Sequence, residues 1–63
     1  MDITSLDYFI EATKELNLTK TATRLFMSQQ TLSNHINRLE TELGVKLFYR
    51  KPKLALTDAG RAL

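Results

Sequence analysis

Sixty-three residues with a net charge of +2, one histidine and no cysteine make one small domain and exclude several chemistries at once. Without cysteine there is no disulfide framework and no thiolate metal site, a lone imidazole makes no zinc site, and so short a chain offers no catalytic cleft. No metal, cofactor or catalytic residue is expected, and the chain reads as a non-enzyme. Its 43% hydrophobic content is interleaved with polar residues, which suits a folded core rather than a disordered segment. The opening MDITSLDYF has neither a basic segment nor a long apolar run, so it reads as neither a signal peptide nor a membrane span, and the cytoplasm is the default location.

Charge is unevenly spread. Residues 1–45 hold four basic and six acidic side chains, whereas residues 46–63 hold Lys46, Arg50, Lys51, Lys53 and Arg61 against Asp58 alone. Such a gradient suits either a surface that meets phosphate or a tail that keeps a small protein in solution.

The first helix is predicted over about residues 5–16, with Thr4 or Ser5 as its cap and Asp7 in its first turn, where negative charge is favoured. Leu6, Phe9, Ile10 and Thr13 form its expected buried stripe, with Leu16 near its end. Asn17 breaks the pattern. Thr19 then offers a second cap, with Leu18 as a hydrophobic staple, for a short helix from about Lys20 to Phe26 that turns Ala22 and Leu25 inward. Met27 falls in the turn that follows, which lacks the glycine common in such turns, and Ser28 caps a third helix.

That third helix is the most informative part of the chain. Leu32, Ile36, Leu39 and Leu43 recur at steps of four, three and four, the stripe of an amphipathic helix. The opposite flank carries Gln30, Ser33, Asn34 and Asn37 rather than the Lys and Glu of an ordinary solvated surface. Short amides and hydroxyls both donate and accept hydrogen bonds, which suits a helix approaching base edges. Gly44 is a left-handed cap, with Val45 expected to fold back on Leu43.

Lys46–Arg50 and Lys53–Leu56 read as two short strands, with Lys51-Pro52 at the tip and Leu47, Phe48, Leu54 and Leu56 as apolar anchors. Thr57 caps a further helix start with Asp58 in its first turn, and the chain reads as the front end of something longer. The expected fold class is mainly α: a three-helix winged helix-turn-helix with a two-stranded β-hairpin wing and the start of a fourth, linker helix. Phe9, Leu25, Leu32, Ile36, Leu39, Leu43 and Phe48 are its expected core.

The pattern Leu6, Tyr8-Phe9, Ala22, Leu25, Ser28-Gln29, Leu32-Ser33, Ile36, Leu39-Glu40, Leu43-Gly44, Leu47-Phe48, Arg50, Leu56-Thr57 and Ala59-Gly60 resembles the DNA-binding domain of the LysR-type transcriptional regulators. The resemblance covers essentially the whole chain. It implies sequence-specific binding of double-stranded DNA in the bacterial cytoplasm and nucleoid, with the third helix in the major groove and the wing on the backbone or minor groove. It also implies a division into a binding domain at 1–57 and a linker helix beginning at 58–63. Through that helix full-length members form homodimers or homotetramers, and a further C-terminal domain, absent here, senses a small-molecule effector. With only about two turns of linker helix, the fragment itself is expected to be a monomer or weak dimer. The chain departs from many members in having Gln30-Thr31 where they carry Pro then Ala or Ser, and Asn34, His35 and Asn37 where they carry one or more arginines. The wing is about one residue shorter than usual.

Gln29, Gln30, Thr31, Ser33 and Asn34 are therefore the candidate base readers: glutamine and asparagine pair with adenine in two places, and threonine reaches a base or its methyl group. Thr19, Ser28, Arg38, Arg50, Lys51 and Lys53 are the candidate phosphate contacts, through helix caps, free amides or charge. Arg38 has an alternative ion-pair partner in Glu42, four residues on. Asn37 reads as solvated and His35 as packing beside the apolar stripe. The reading from a different class is a winged-helix protein-interaction module that does not read DNA, which the low net charge and missing arginines favour.

Overall fold

The structure, a computed structural model, describes residues 3–63. Three helices, α1 (Ile3–Glu15), α2 (Leu18–Arg24) and α3 (Gln29–Leu43), precede a hairpin of β1 (Phe48–Tyr49) and β2 (Ala55–Leu56), and α4 (Asp58–Ala62) follows. This is the mainly helical winged helix-turn-helix expected from sequence. Among the described residues no helix is long and apolar enough to cross a membrane.

α1 begins two residues earlier than its pattern suggested, which puts Thr4 and Ser5 inside the helix instead of at its cap and leaves no acidic residue in its first turn. Its buried face is also rotated. Ser5, Phe9 and Ala12 face inward, while Ile10 is 46% exposed. Ser5 tolerates burial because its hydroxyl lies 3.3 Å from His35 Nδ1 on α3, and the His35 ring meets Tyr8 edge-on at 4.8 Å. A small polar residue with a partner can therefore sit on the buried face.

The chain leaves α1 through Leu16, in the left-handed conformation at φ 50. Asn17 is then extended, and its side chain accepts from the Lys20 amide at 2.9 Å. Asn17, not Thr19, is therefore the cap of α2, and the helix starts two residues ahead of the predicted Lys20. The amide oxygen reaches the third helical N–H as well as a hydroxyl would, and asparagine is among the best N-caps.

Between α2 and α3 the turn is a Schellman motif without glycine. Met27 N–H bonds Ala22 C=O at 3.0 Å and Phe26 N–H bonds Thr23 C=O at 3.1 Å, while Phe26 holds the left-handed φ of 58 that glycine usually supplies. Its ring is 97% exposed, so packing returns little for that conformation.

Ser28 caps α3 as expected, accepting from Thr31 N–H at 3.0 Å, and Gly44 closes it at φ 73. Leu32, Ile36 and Leu39 are fully buried in a core completed by Phe9, Ala12, Ala22, Leu47 and Phe48. The ring of Phe48 leans on that of Phe9 at 5.3 Å, so the wing is anchored to α1. Leu43 is not core: it and Val45 are both exposed. The row Leu32–Ile36–Glu40 points inward instead, which turns the last Leu of the stripe toward solvent.

The strands are shorter than predicted, two residues each, paired antiparallel with Phe48 opposite Leu56 and Tyr49 opposite Ala55. Thr57 joins wing and α4. Its hydroxyl donates to Lys46 C=O at 2.6 Å and accepts from Gly60 N–H at 3.0 Å, and its own N–H bonds Leu47 C=O.

α1 and α2 are clamped on the outside by Arg24, which donates to Glu11 Oε1 at 2.6 Å and to Glu15 Oε1. The Arg24 guanidinium, and then Lys14, hold the Glu11 carboxyl below its ordinary pKa of 4.5. A depressed folded-state pKa means the pair's contribution to stability is complete above pH 4.5 and disappears as the pH falls through the lower folded value. An NMR titration of the Glu11 side chain should show this depression, and Arg24→Ala should remove most of it. An unmoved midpoint in that variant would contradict the clamp.

Candidate nucleic-acid interface

The start of α2, the first turns of α3 and the wing converge on one surface cleft of about 500 Å³, lined by Leu16, Asn17, Leu18, Thr19, Gln29, Ser33, Arg50, Lys53 and Leu54. Five candidates picked from sequence meet there: Thr19, Gln29, Ser33, Arg50 and Lys53. Four of the five are linked in pairs: the Thr19 hydroxyl donates to Gln29 Oε1 at 3.1 Å, tying α2 to the opening of α3, and Arg50 bonds Ser33. The cleft offers two cations, several hydroxyls and amides, and an apolar floor. Such a lining matches an anion with a sugar beside it better than an apolar ligand.

Beside the cleft lies the exposed flank of α3. Gln30 Nε2 donates to Asn34 Oδ1 at 2.9 Å, one helical turn apart, so these two amides form a unit on the surface. The Ser28 hydroxyl donates to Thr31 Oγ1 at 2.8 Å while accepting the Thr31 N–H, which holds the opening turn of α3 in place. Lys51 and Arg38 are exposed and do not line the cleft.

Arg50 is more constrained than a free cation on a wing. Its Nη1 donates to Ser33 Oγ at 3.2 Å and its Nη2 to Asn37 Oδ1 at 2.8 Å, with Glu40 Oε1 at 3.6 Å from Nη2. Asn37, which its sequence context marked as solvated, is thus a partner of the wing. Glu40 is 4% exposed. Its Oε2 accepts from Leu47 N–H at 2.8 Å and Phe48 N–H at 3.2 Å, and Lys46 Nζ lies 4.0 Å from Oε1. One buried carboxylate therefore fixes the first wing strand and steadies the arginine over α3. Sequence reasoning gave Glu40 no role. The available signal was its place four residues after Ile36, on the same inward row.

A family model of bacterial regulatory helix-turn-helix proteins of the lysR family matches residues 3–61. The chain belongs to the LysR family. The HTH-type transcriptional regulator CitR of Bacillus subtilis is 49% identical over 63 residues, which make up 98% of this chain and 22% of CitR. The chain thus spans about a fifth of the length of such a relative. Among solved structures, a LysR-family transcriptional regulator of Eggerthella lenta superposes with a TM-score of 0.90 at 40% identity, covering 98% of this chain and 90% of that one. The BenM DNA-binding domain in its complex with catB site 1 DNA superposes with a TM-score of 0.93 at 35% identity, covering 98% and 68%.

The fold is therefore the winged helix-turn-helix DNA-binding domain of the LysR family. Among the described residues no group of three or more His, Cys, Asp or Glu could hold a metal ion.

Proposed function

We propose that this LysR-family domain binds double-stranded DNA sequence-specifically, with α3 in the major groove and the wing against the backbone or minor groove. One observation carries the proposal: α2, α3 and the wing bring donors and cations to a single cleft beside an exposed, uncharged flank of α3. Phosphate contacts from Thr19, Ser28, Arg38, Arg50, Lys51 and Lys53 fix the register. Gln29, Gln30, Thr31, Ser33 and Asn34 read base edges. The BenM domain, similar in fold throughout, is a precedent for a DNA complex.

Residues 1–57 act as the binding unit and residues 58–63 begin the linker helix. Through that helix the full-length regulator pairs as a homodimer or homotetramer, in the cytoplasm and at the nucleoid, with a small-molecule effector acting on a separate C-terminal domain. Thr57 caps α4 directly after the hairpin, which supports a boundary there.

Two substitutions separate positioning from readout. Lys53→Ala should weaken binding to every duplex by a similar factor and reduce the salt slope by about one ion. Gln30→Ala should change which sequence is preferred, by roughly tenfold at the base pair it faces. Quantitative binding to a randomised duplex pool checks both. An identical loss on every sequence from Gln30→Ala would overturn its assignment as a base reader.

A further inference from the structure

Arg50 does something that charge alone does not. A guanidinium has five N–H donors and no acceptor. The Asn37 atom that faces it at 2.8 Å must therefore be the carbonyl oxygen, so the orientation of this amide is dictated by chemistry. Its Nδ2, with two N–H donors, is left to the exposed flank of α3. Ser33 Oγ also accepts from Arg50, through Nη1, and keeps both its own O–H and a second lone pair. Glu40 keeps the guanidinium in place from below at 3.6 Å. Asparagine and serine are ordinarily ambivalent, able to meet either a donor or an acceptor. Here the arginine holds the carbonyl oxygen of the asparagine, so the amine is the end that faces outward.

We propose that Arg50 is a specificity-positioning residue: by holding the Asn37 carbonyl oxygen it turns the Asn37 amine outward, as a donor on α3 that selects guanine. The inference rests on α3 lying in the major groove, as proposed above, and adds which base it prefers and why. In that groove guanine presents two acceptors, N7 and O6, and no donor. Cytosine presents its N4 amine, which an outward Asn37 amine cannot satisfy, while adenine pairs an acceptor with a donor and thymine offers one acceptor beside a methyl group. Guanine gains most and cytosine loses most at the faced position. The remaining guanidinium N–H groups can still meet phosphate, so the role is additional to the charge contact.

The test is selection from a randomised duplex pool at low salt by the 63-residue chain and two variants, with circular dichroism confirming that each is folded. Wild type should enrich guanine over cytosine about tenfold at one position of the bound site. Asn37→Asp keeps an acceptor for Arg50 but replaces the outward donor by a second acceptor, so the ratio at that position should fall below one. Arg50→Lys keeps the positive charge but lacks the fork, so the Asn37 amide is free to turn either way and the guanine preference should drop to about twofold. Asn37→Asp stands alone as the test should Arg50→Lys fail to fold. Guanine-to-cytosine ratios equal within twofold in wild type and variants, whatever the affinities, would overturn the proposal and leave Arg50 a phosphate contact only. Wild type that binds duplex with no guanine preference at any position would overturn it too. Absence of any duplex binding by wild type would instead overturn the DNA-binding reading on which it rests.

Discussion

Glu40→Ala should destabilise the domain by about 3 kcal/mol, the largest loss expected from any single side chain outside the apolar core. The variant strips both wing amides, Leu47 N–H and Phe48 N–H, of their acceptor in a region that water does not reach. Each buried N–H left unpaired costs about 1–3 kcal/mol. Arg50, whose side chain is 33% exposed, can rehydrate, so its loss of a counter-ion adds comparatively little. A domain of this size has only about 3–5 kcal/mol in hand, so the variant should be substantially unfolded at moderate temperature. Its midpoint should drop by roughly 12 °C or more if it folds at all. Glu40→Gln keeps a carbonyl acceptor and should lose about half as much. Urea melts followed by circular dichroism give the free energies, and amide exchange at Leu47 and Phe48 reports whether the loss is at the wing. A Glu40→Ala domain within 0.5 kcal/mol of wild type would mean that the carboxylate does not hold the wing on α3.

Gly60→Ala is the second large effect, and its sign runs against intuition. In a helix, alanine is favoured over glycine by up to about 1 kcal/mol, so propensity alone predicts a stabilised α4. Space decides otherwise. A Cβ at this position would lie well inside van der Waals contact of the Leu47 carbonyl oxygen and 3.0 Å from Leu56 Cδ2. The carbonyl is backbone and already accepts the Thr57 N–H, so it cannot swing aside as a flexible side chain would. Overpacking of this kind costs about 1–3 kcal/mol, and a net loss near 2 kcal/mol is expected. The strain should be relieved by undocking α4, which would expose Leu56 and weaken any pairing of subunits built on that helix. Thermal melts and backbone chemical shifts of residues 57–63 measure it. A variant as stable as wild type with unchanged shifts would show that the α4–wing contact is looser than the structure has it.

Both effects concern residues that no apolar stripe picks out. The helical stripe of α3, the Ser28 and Thr57 caps, the Gly44 terminus and the hairpin were legible because each depends on local chemistry that a few neighbouring residues carry. The caps of α1 and α2 were misread because Thr4, Ser5, Asn17 and Thr19 all qualify locally, and packing chooses among them: Ser5 is drawn inward by His35, and Asn17 follows a left-handed Leu16. Ile10 and Leu43 look like core in a stripe and are exposed because Ala12 and Glu40 take the inward positions. At the candidate site the residue types were visible and the couplings were not. Arg50 and Asn37 are 13 residues apart, and Glu40 sits beneath them, so only tertiary structure reveals that they act together.

The most direct test of the whole account is fluorescence anisotropy of this chain with labelled duplexes over a range of salt. The set should contain a partly palindromic site recovered by selection and a scrambled duplex of equal length. Binding should weaken steeply with salt on both and stay at least tenfold tighter on the selected site. Failure to bind either duplex at low salt, repeated with a version extended through the linker helix, would contradict it and turn attention to a winged helix that binds protein instead.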